Sequence, residues 1–182
     1  MRKVIGIIGP AAAGKDYAAT YIAKKMKIPI YQISGEIKKM ATERKVSLDR
    51  ESLIQFGREL TSKYGDDYLA KKVLDDHHEQ TIIMVGMRQL GQIDYLRKNS
   101  KLTLIGINAR PEIRFKRIKN RGNWGDPSTL DKFLEIEEKD DGKSVQRISE
   151  CMKKADYLIV NEKEKKELEE EIDRILQKEK LD

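Results

Sequence analysis

The sequence predicts an α/β fold in which a parallel sheet lies between two layers of helices. Five short apolar runs, at 4–8, 28–33, 82–86, 102–107 and 157–160, are separated by longer polar segments with helical spacing. Apolar runs of that length between helices mark strands buried on both faces. The first run also stops at a glycine-rich turn that leads straight into an alanine-rich helical stretch, which is the strand, loop and helix order from which such sheets are built.

Taken in order, Val4-Ile5-Gly6-Ile7-Ile8 is the first strand and Gly9-Pro10 breaks it. A helix is expected from Gly14 to Met26, and the second strand follows at 28–33. Helices are then expected over Glu36 to Lys45, Leu48 to Tyr64 and Asp67 to His78, before the third strand. Gly91 to Asn99 joins the third strand to the fourth, and Pro111 to Arg121, Thr129 to Lys139 and Ser144 to Lys154 precede the fifth. In the last segment Leu168, Ile172, Ile175 and Leu176 recur at helical spacing, so Glu164 to Lys178 reads as an amphipathic helix docked on the sheet rather than as a charged tail. The segment from Arg121 to Ser128 carries two glycines and a proline and is expected to be a mobile loop anchored by Trp124. With no internal repeat and no Gly/Ser/Pro-rich linker, the 182 residues are expected to form a single domain, 1–182.

Composition narrows the function. A formal charge of +6 suits a polyanionic ligand, but only 6% of the residues are aromatic, which disfavours the stacking platforms of single-strand nucleic-acid binding. Cys151 is the only cysteine, so neither an internal disulfide nor a cysteine-based metal site can form, and a reducing, cytoplasmic setting is expected. The run at 4–8 is too short for a signal-peptide core or a membrane span. His77 and His78 are neighbours on a helix and point in different directions, against a shared metal.

Gly9-Pro10-Ala11-Ala12-Ala13-Gly14-Lys15-Asp16 fits the phosphate-binding pattern G-x-x-x-x-G-K-[ST] except at its last place. Small residues let backbone N–H groups turn around a phosphate, the helix that follows presents its positive end, and Lys15 adds a charge between the β and γ groups. Asp16 replaces a hydroxyl that ordinarily meets Mg²⁺; a carboxylate can also bind that ion while adding negative charge beside the phosphates.

Gly14-Lys15-Asp16-Tyr17 resembles the Gly-Lys-Asp variant of the loop in some deoxynucleoside monophosphate kinases and phosphomevalonate kinases, P-loop kinases of the nucleoside monophosphate kinase group. The likeness extends along nearly the whole chain. Ser34-Gly35-Glu36-Ile37-Lys38-Lys39 is similar to an adenylate-kinase turn and helix whose phosphate-binding arginine is here Lys39; a serine cap with a solvated lysine is the other reading. Ile83-Met84-Val85-Gly86-Met87-Arg88 resembles the group's Asp-Gly-x-x-Arg strand end, with Val85 in place of the aspartate. Arg114, Arg117 and Arg121 precede the Gly/Pro loop like the arginines of the group's lid, about 114–128. The run from Ala155 to Glu162 is similar to the last strand of dephospho-CoA kinases and related archaeal kinases, although their Asp-x-Pro-Leu-Leu stretch is missing.

The resemblance implies a three-layer α/β/α P-loop NTPase fold with a five-stranded sheet in the order 2-3-1-4-5. It implies ATP and Mg²⁺ as cofactors and a small nucleotide-like acceptor: a (deoxy)nucleoside monophosphate, or dephospho-CoA as the alternative. A nucleotide sensor without turnover is the alternative of another class. In this reading residues 9–16 with Tyr17 hold the donor, Lys15 acts on its phosphates and Asp16 orients the metal, supplying the carboxylate missing at Val85. Arg117 and Arg121 close over the transferred group, Ser34, Lys39 and Arg88 receive the acceptor, and Arg110 and Asn161 flank the adenine; Asp126 pins or releases the lid.

Overall fold

The structure is a computed structural model that describes residues 1–122, 126–142 and 147–181, with the side chains of 140–142 outside the description. Trp124, the expected anchor of the loop, lies outside the described residues, as does the expected helix start at Ser144.

Five strands, β1 (Lys3–Ile8), β2 (Ile30–Gln32), β3 (Thr81–Val85), β4 (Lys101–Asn108) and β5 (Tyr157–Val160), form one sheet in the order β2-β3-β1-β4-β5. All its pairings are parallel; Ile5 lies opposite Ile83 on one side and Thr103 on the other. Because side chains alternate across a strand, β1 feeds two cores. Val4 and Ile8 pack with Met84 and Leu104 on one face, while Ile5 and Ile7 pack with Ile83, Ile105 and Ile159 on the other. Each fully buried Ile or Leu of this kind contributes roughly 1.5–3 kcal/mol. Gly6 makes the first core possible at the sheet's centre, since a Cβ there would meet Leu104 and Met87 at 2.8 Å.

The first face is covered by α2 (Ile33–Glu43), α3 (Arg50–Tyr64), α4 (Tyr68–Asp76), α5 (Leu90–Asn99) and the short α8 (Ile148–Lys153). The second is covered by α1 (Lys15–Met26) and α9 (Lys165–Lys178). On α9 the expected stripe is the buried one, with Leu168, Ile172, Ile175 and Leu176 all inside. Helices α6 (Pro111–Arg121) and α7 (Leu130–Gly142) stand beside the C-terminal end of the sheet. The three-layer α/β/α arrangement and strand order are those the resemblance implies.

Two of the boundaries that differ from expectation bear on the site. The helix expected at Glu36 starts at Ile33, directly after the three-residue β2, which places Ser34 and Gly35 inside it. Asp49 caps α3 by accepting from the Ser52 N–H at 2.9 Å, so that helix begins at Arg50 rather than Leu48. Among the described residues no helix is long and apolar enough to cross a membrane.

Candidate functional site

The loop from Gly9 to Asp16 leaves β1 at the C-terminal edge of the sheet, where open α/β sheets bind ligands. Two of its glycines are required by their surroundings. A Cβ on Gly9 would meet the Ile107 carbonyl at 2.0 Å, and one on Gly14 the Asn161 amide at 2.3 Å; both sit at positive φ, +147° and +108°. Ala12 also has positive φ, 58°, a conformation that costs a residue with a Cβ about 1–2 kcal/mol. The contacts around the loop offset that cost.

Every carbonyl from Pro10 to Ala13 accepts a hydrogen bond from a side chain. Lys15 Nζ donates to Pro10 at 2.7 Å and Arg114 Nη1 to Ala11 at 3.4 Å. Arg117 Nη1 donates to Ala12 at 3.3 Å and Ala13 at 3.4 Å, and Asn161 Nδ2 donates to Ala13 at 2.8 Å. Arg117 Nη2 also donates to the Asn161 carbonyl at 2.9 Å, tying the loop after β5 into the same clasp. With the loop's carbonyls held this way and no side chain capping α1 at Gly14, the first N–H groups of that helix remain available to an anion.

The charges converge at Lys15. Burial, first, and then the neighbouring Arg88 push its ammonium down to about 8; Arg114 acts in the same direction, and the carboxylates of Asp16 and Glu137 oppose it. Two arginines close enough to disfavour the charge of Lys15 mark a site where an anion would be welcome. From the loop a cavity of about 1140 Å³ runs between α2, α3, α7 and α8, with Pro10, Ser34, Arg88, Arg114 and Arg121 on its wall. Residues 9–16 and Lys15 therefore fit a nucleotide triphosphate. Asp16 is exposed beside Lys15, where its Oδ1 accepts from Gln32 Nε2 at 3.2 Å, and it can offer a magnesium ion one carboxylate ligand. Among the described residues no group of three acidic, histidine or cysteine side chains forms a metal cage.

The other expected site residues divide. Arg88 follows β3 with its backbone N–H bonded to Gln92 Oε1 at 2.9 Å, and it lines the cavity. Val85 is buried in the α1 side of the core, 3% exposed, so the strand end delivers no carboxylate. Arg121 pairs with Asp126 at 3.3 Å on the cavity wall. Arg117 does not reach over the cavity; its guanidinium is occupied by the loop carbonyls and Asn161. Asn161 likewise holds Ala13.

Tyr17 turns away onto α9, where its hydroxyl donates to Glu169 and Lys165 lies over its ring at 5.2 Å. Arg110 is paired with Glu162 at 2.9 Å. Ser34, Ile37 and Lys38 share the face of α2 that lines the cavity, and Lys39 is turned a further step round the helix from it. Ser34 sits inside the helix and is not its cap. Sequence reading also assigned no separate role to Arg114 and passed over Glu137, which bond to each other across 23 residues. Only the arginine spacing on α6 hinted at the first.

No protein-family model matches the chain. A UPF0200 protein of Methanocaldococcus jannaschii is 31% identical over 179 residues, covering 96% of this chain and 89% of that relative. The chain belongs to the UPF0200 family. A UPF0200 protein of Hyperthermus butylicus is 29% identical over the same number of residues, 179, covering 96% of this chain and 94% of that one. Among solved structures, the shikimate kinase of Bacteroides thetaiotaomicron aligns with a TM-score of 0.61 at 14% identity, covering 96% of both chains. At that identity the likeness is one of fold alone: this UPF0200 chain shares the fold of that protein.

Proposed function

We propose that the chain is an ATP-dependent phosphotransferase that moves the γ-phosphate of Mg·ATP to a nucleotide-like acceptor, a (deoxy)nucleoside monophosphate. The observation that carries the reading is the clasped loop, its carbonyls tied by Lys15, Arg114, Arg117 and Asn161 at the mouth of a cavity into which Arg88 also projects charge. Magnesium, when bound, neutralises charge between the phosphates, with Asp16 as its protein ligand. Lys15 and the N-terminus of α1 hold the donor; Arg88, Arg114 and Arg121 surround the transferred group and stabilise charge on it, with Arg121 released from Asp126.

On the acceptor side, α2 and α3 give the cavity Ser34, Lys38, Arg50 and Arg58 and, among the described residues, no carboxylate. Those cationic groups support a phosphate acceptor, which is already a nucleophile; the ribose hydroxyl of a dephospho-CoA kinase, which calls for a base, would have to meet the cavity's carboxylates Asp126, Glu137 and Glu138 on the opposite wall, at α7 and just before it. Burial of Val85 in place of the group's aspartate favours a second reading, a nucleotide sensor without turnover. A coupled ADP-release assay with Mg·ATP against ribo- and deoxyribonucleoside monophosphates and dephospho-CoA, beside Lys15→Ala, separates these. A lysine-dependent signal with one monophosphate supports the proposal, a signal with dephospho-CoA alone the hydroxyl acceptor, and tight ATP binding with silence across the panel the sensor.

A further inference from the structure

Arg114 is only 5% exposed. A guanidinium keeps its charge at that depth, so its donors require fixed acceptors. Nε donates to the Ala109 carbonyl at 2.8 Å, which ties it to the end of β4, and Nη1 donates to Ala11 at 3.4 Å, which ties it to the phosphate loop. Its remaining anchor is the Glu137 carboxylate of α7. Phe133, one turn earlier on α7, lies with its ring 5.2 Å from the guanidinium carbon and is tilted against Phe115 at 6.0 Å. Residues four apart share a helix face, so α7 meets Arg114 with an aromatic ring and a carboxylate together. Glu137 and Arg114 both line the cavity.

We propose that Glu137 is a positioning residue for phosphoryl transfer: it holds the Arg114 guanidinium at the rim of the phosphate loop, so that α7 sets where this charge meets the transferred group. The inference rests on the phosphotransfer reading. The single Nη1–carboxylate bond acts with the bonds to Ala109 and Ala11 and the Phe133 ring to fix the guanidinium's plane as well as its place, and a fixed donor aimed at developing charge stabilises a transition state more than a mobile one. The pair's neighbours suit such a role, with the loop carbonyl of Ala11 on one side and the cavity on the other.

The test uses the full chain with Glu137→Gln and Glu137→Asp. The readouts are steady-state ADP release with Mg·ATP and the best acceptor of the nucleotide panel, calorimetric binding of Mg·ATP, and thermal melting. Glu137→Gln is expected to lower kcat about tenfold or more while KM for Mg·ATP moves less than about threefold, because an interaction strongest in the transition state is being removed. Glu137→Asp is expected to recover kcat to within about threefold of the parent. A glutamine variant with kcat within about twofold overturns the proposal, and so does one that loses stability, KM and kcat together with no recovery by aspartate. Should Glu137→Gln fail to fold, Arg114→Lys, which keeps the charge and loses the fork, must show the same kcat loss for the proposal to stand. A parent protein without Lys15-dependent ADP release overturns the phosphotransfer reading and this inference with it; an active parent with an unaffected variant overturns the inference alone.

Discussion

Replacing Lys15 by methionine is expected to abolish nucleotide binding and yet make the protein more stable at neutral pH. The ammonium sits where burial, Arg88 and Arg114 all work against its charge, lowering it from 10.5 to about 8. A depressed folded-state value means that the unfolded chain holds the proton more tightly. The charged lysine therefore costs stability below pH 8, by about 3 kcal/mol at 1.36 kcal/mol per pK unit. That cost shrinks as pH rises from 8 towards 10.5, and at pH 10 about 1 kcal/mol of it is left.

Methionine has similar length and no charge, but it loses the 2.7 Å hydrogen bond to the Pro10 carbonyl, a loss of about 1.5–3 kcal/mol for a charged donor. The net gain at pH 7 is therefore smaller than the electrostatic cost, about 1 kcal/mol. The change in the difference between the two proteins from pH 7 to pH 10, about 2.5 kcal/mol, is free of that offset to first order. Urea unfolding of both proteins across this range measures it. A difference that stays constant with pH would show that Lys15 is not strained, and would remove the argument that the loop stores unfavourable charge for a phosphate to relieve.

Gly14→Ala is expected to lose about 2 kcal/mol or more in urea unfolding, because positive φ and a 2.3 Å approach to the Asn161 amide are both penalised. Its nucleotide affinity should fall at the same time, read by calorimetry. Arg117→Ala removes three hydrogen bonds to backbone carbonyls and should weaken Mg·ATP binding about tenfold or more; unchanged affinity would show that the loop holds its shape without the clasp. Arg121→Ala breaks only an exposed pair with Asp126, so its melting temperature should stay within about 2 °C of the parent. ADP release by the same variant should fall about tenfold or more if Arg121 acts on the transferred group.

The sheet was legible because its signal is local: each apolar run falls on a strand, and Gly9, Gly14 and Lys15 sit at the turn and helix start that the pattern demands. Which lysine of α2 faces the cavity was not legible, because it depends on how the helix packs on the sheet; Ser34, Ile37 and Lys38 form the lining face. The clasp could not be read at all. Asn161 reaches Ala13 across 148 residues and Arg117 reaches Ala12 across 105. Helical spacing showed three arginines on α6 but not that the first two bond to the loop's carbonyls while the third stays with Asp126.

On the proposed reading Asp16 supplies the carboxylate that Val85 does not, and this has an electrostatic consequence. An aspartate at the end of β3 would sit at the edge of the sheet, but here that place is filled by a buried valine. The carboxylate at the start of α1 is exposed, lies where the helix's positive end attenuates its charge, and is held by Gln32 from the end of β2. On the proposed reading it moves the metal's protein ligand to the helix that carries Lys15, while bringing negative charge nearer the donor than a serine or threonine hydroxyl does. Arg88 and Arg114 answer that charge. Both lie close enough to lower the Lys15 ammonium, against which Asp16 and Glu137 act in the opposite sense. Asp16→Ala, which removes one side of this balance and leaves no hydroxyl in its place, should therefore tighten triphosphate binding in the absence of magnesium and weaken the dependence of binding on the metal. Unchanged metal dependence would leave Asp16 as a surface partner of Gln32 and no more.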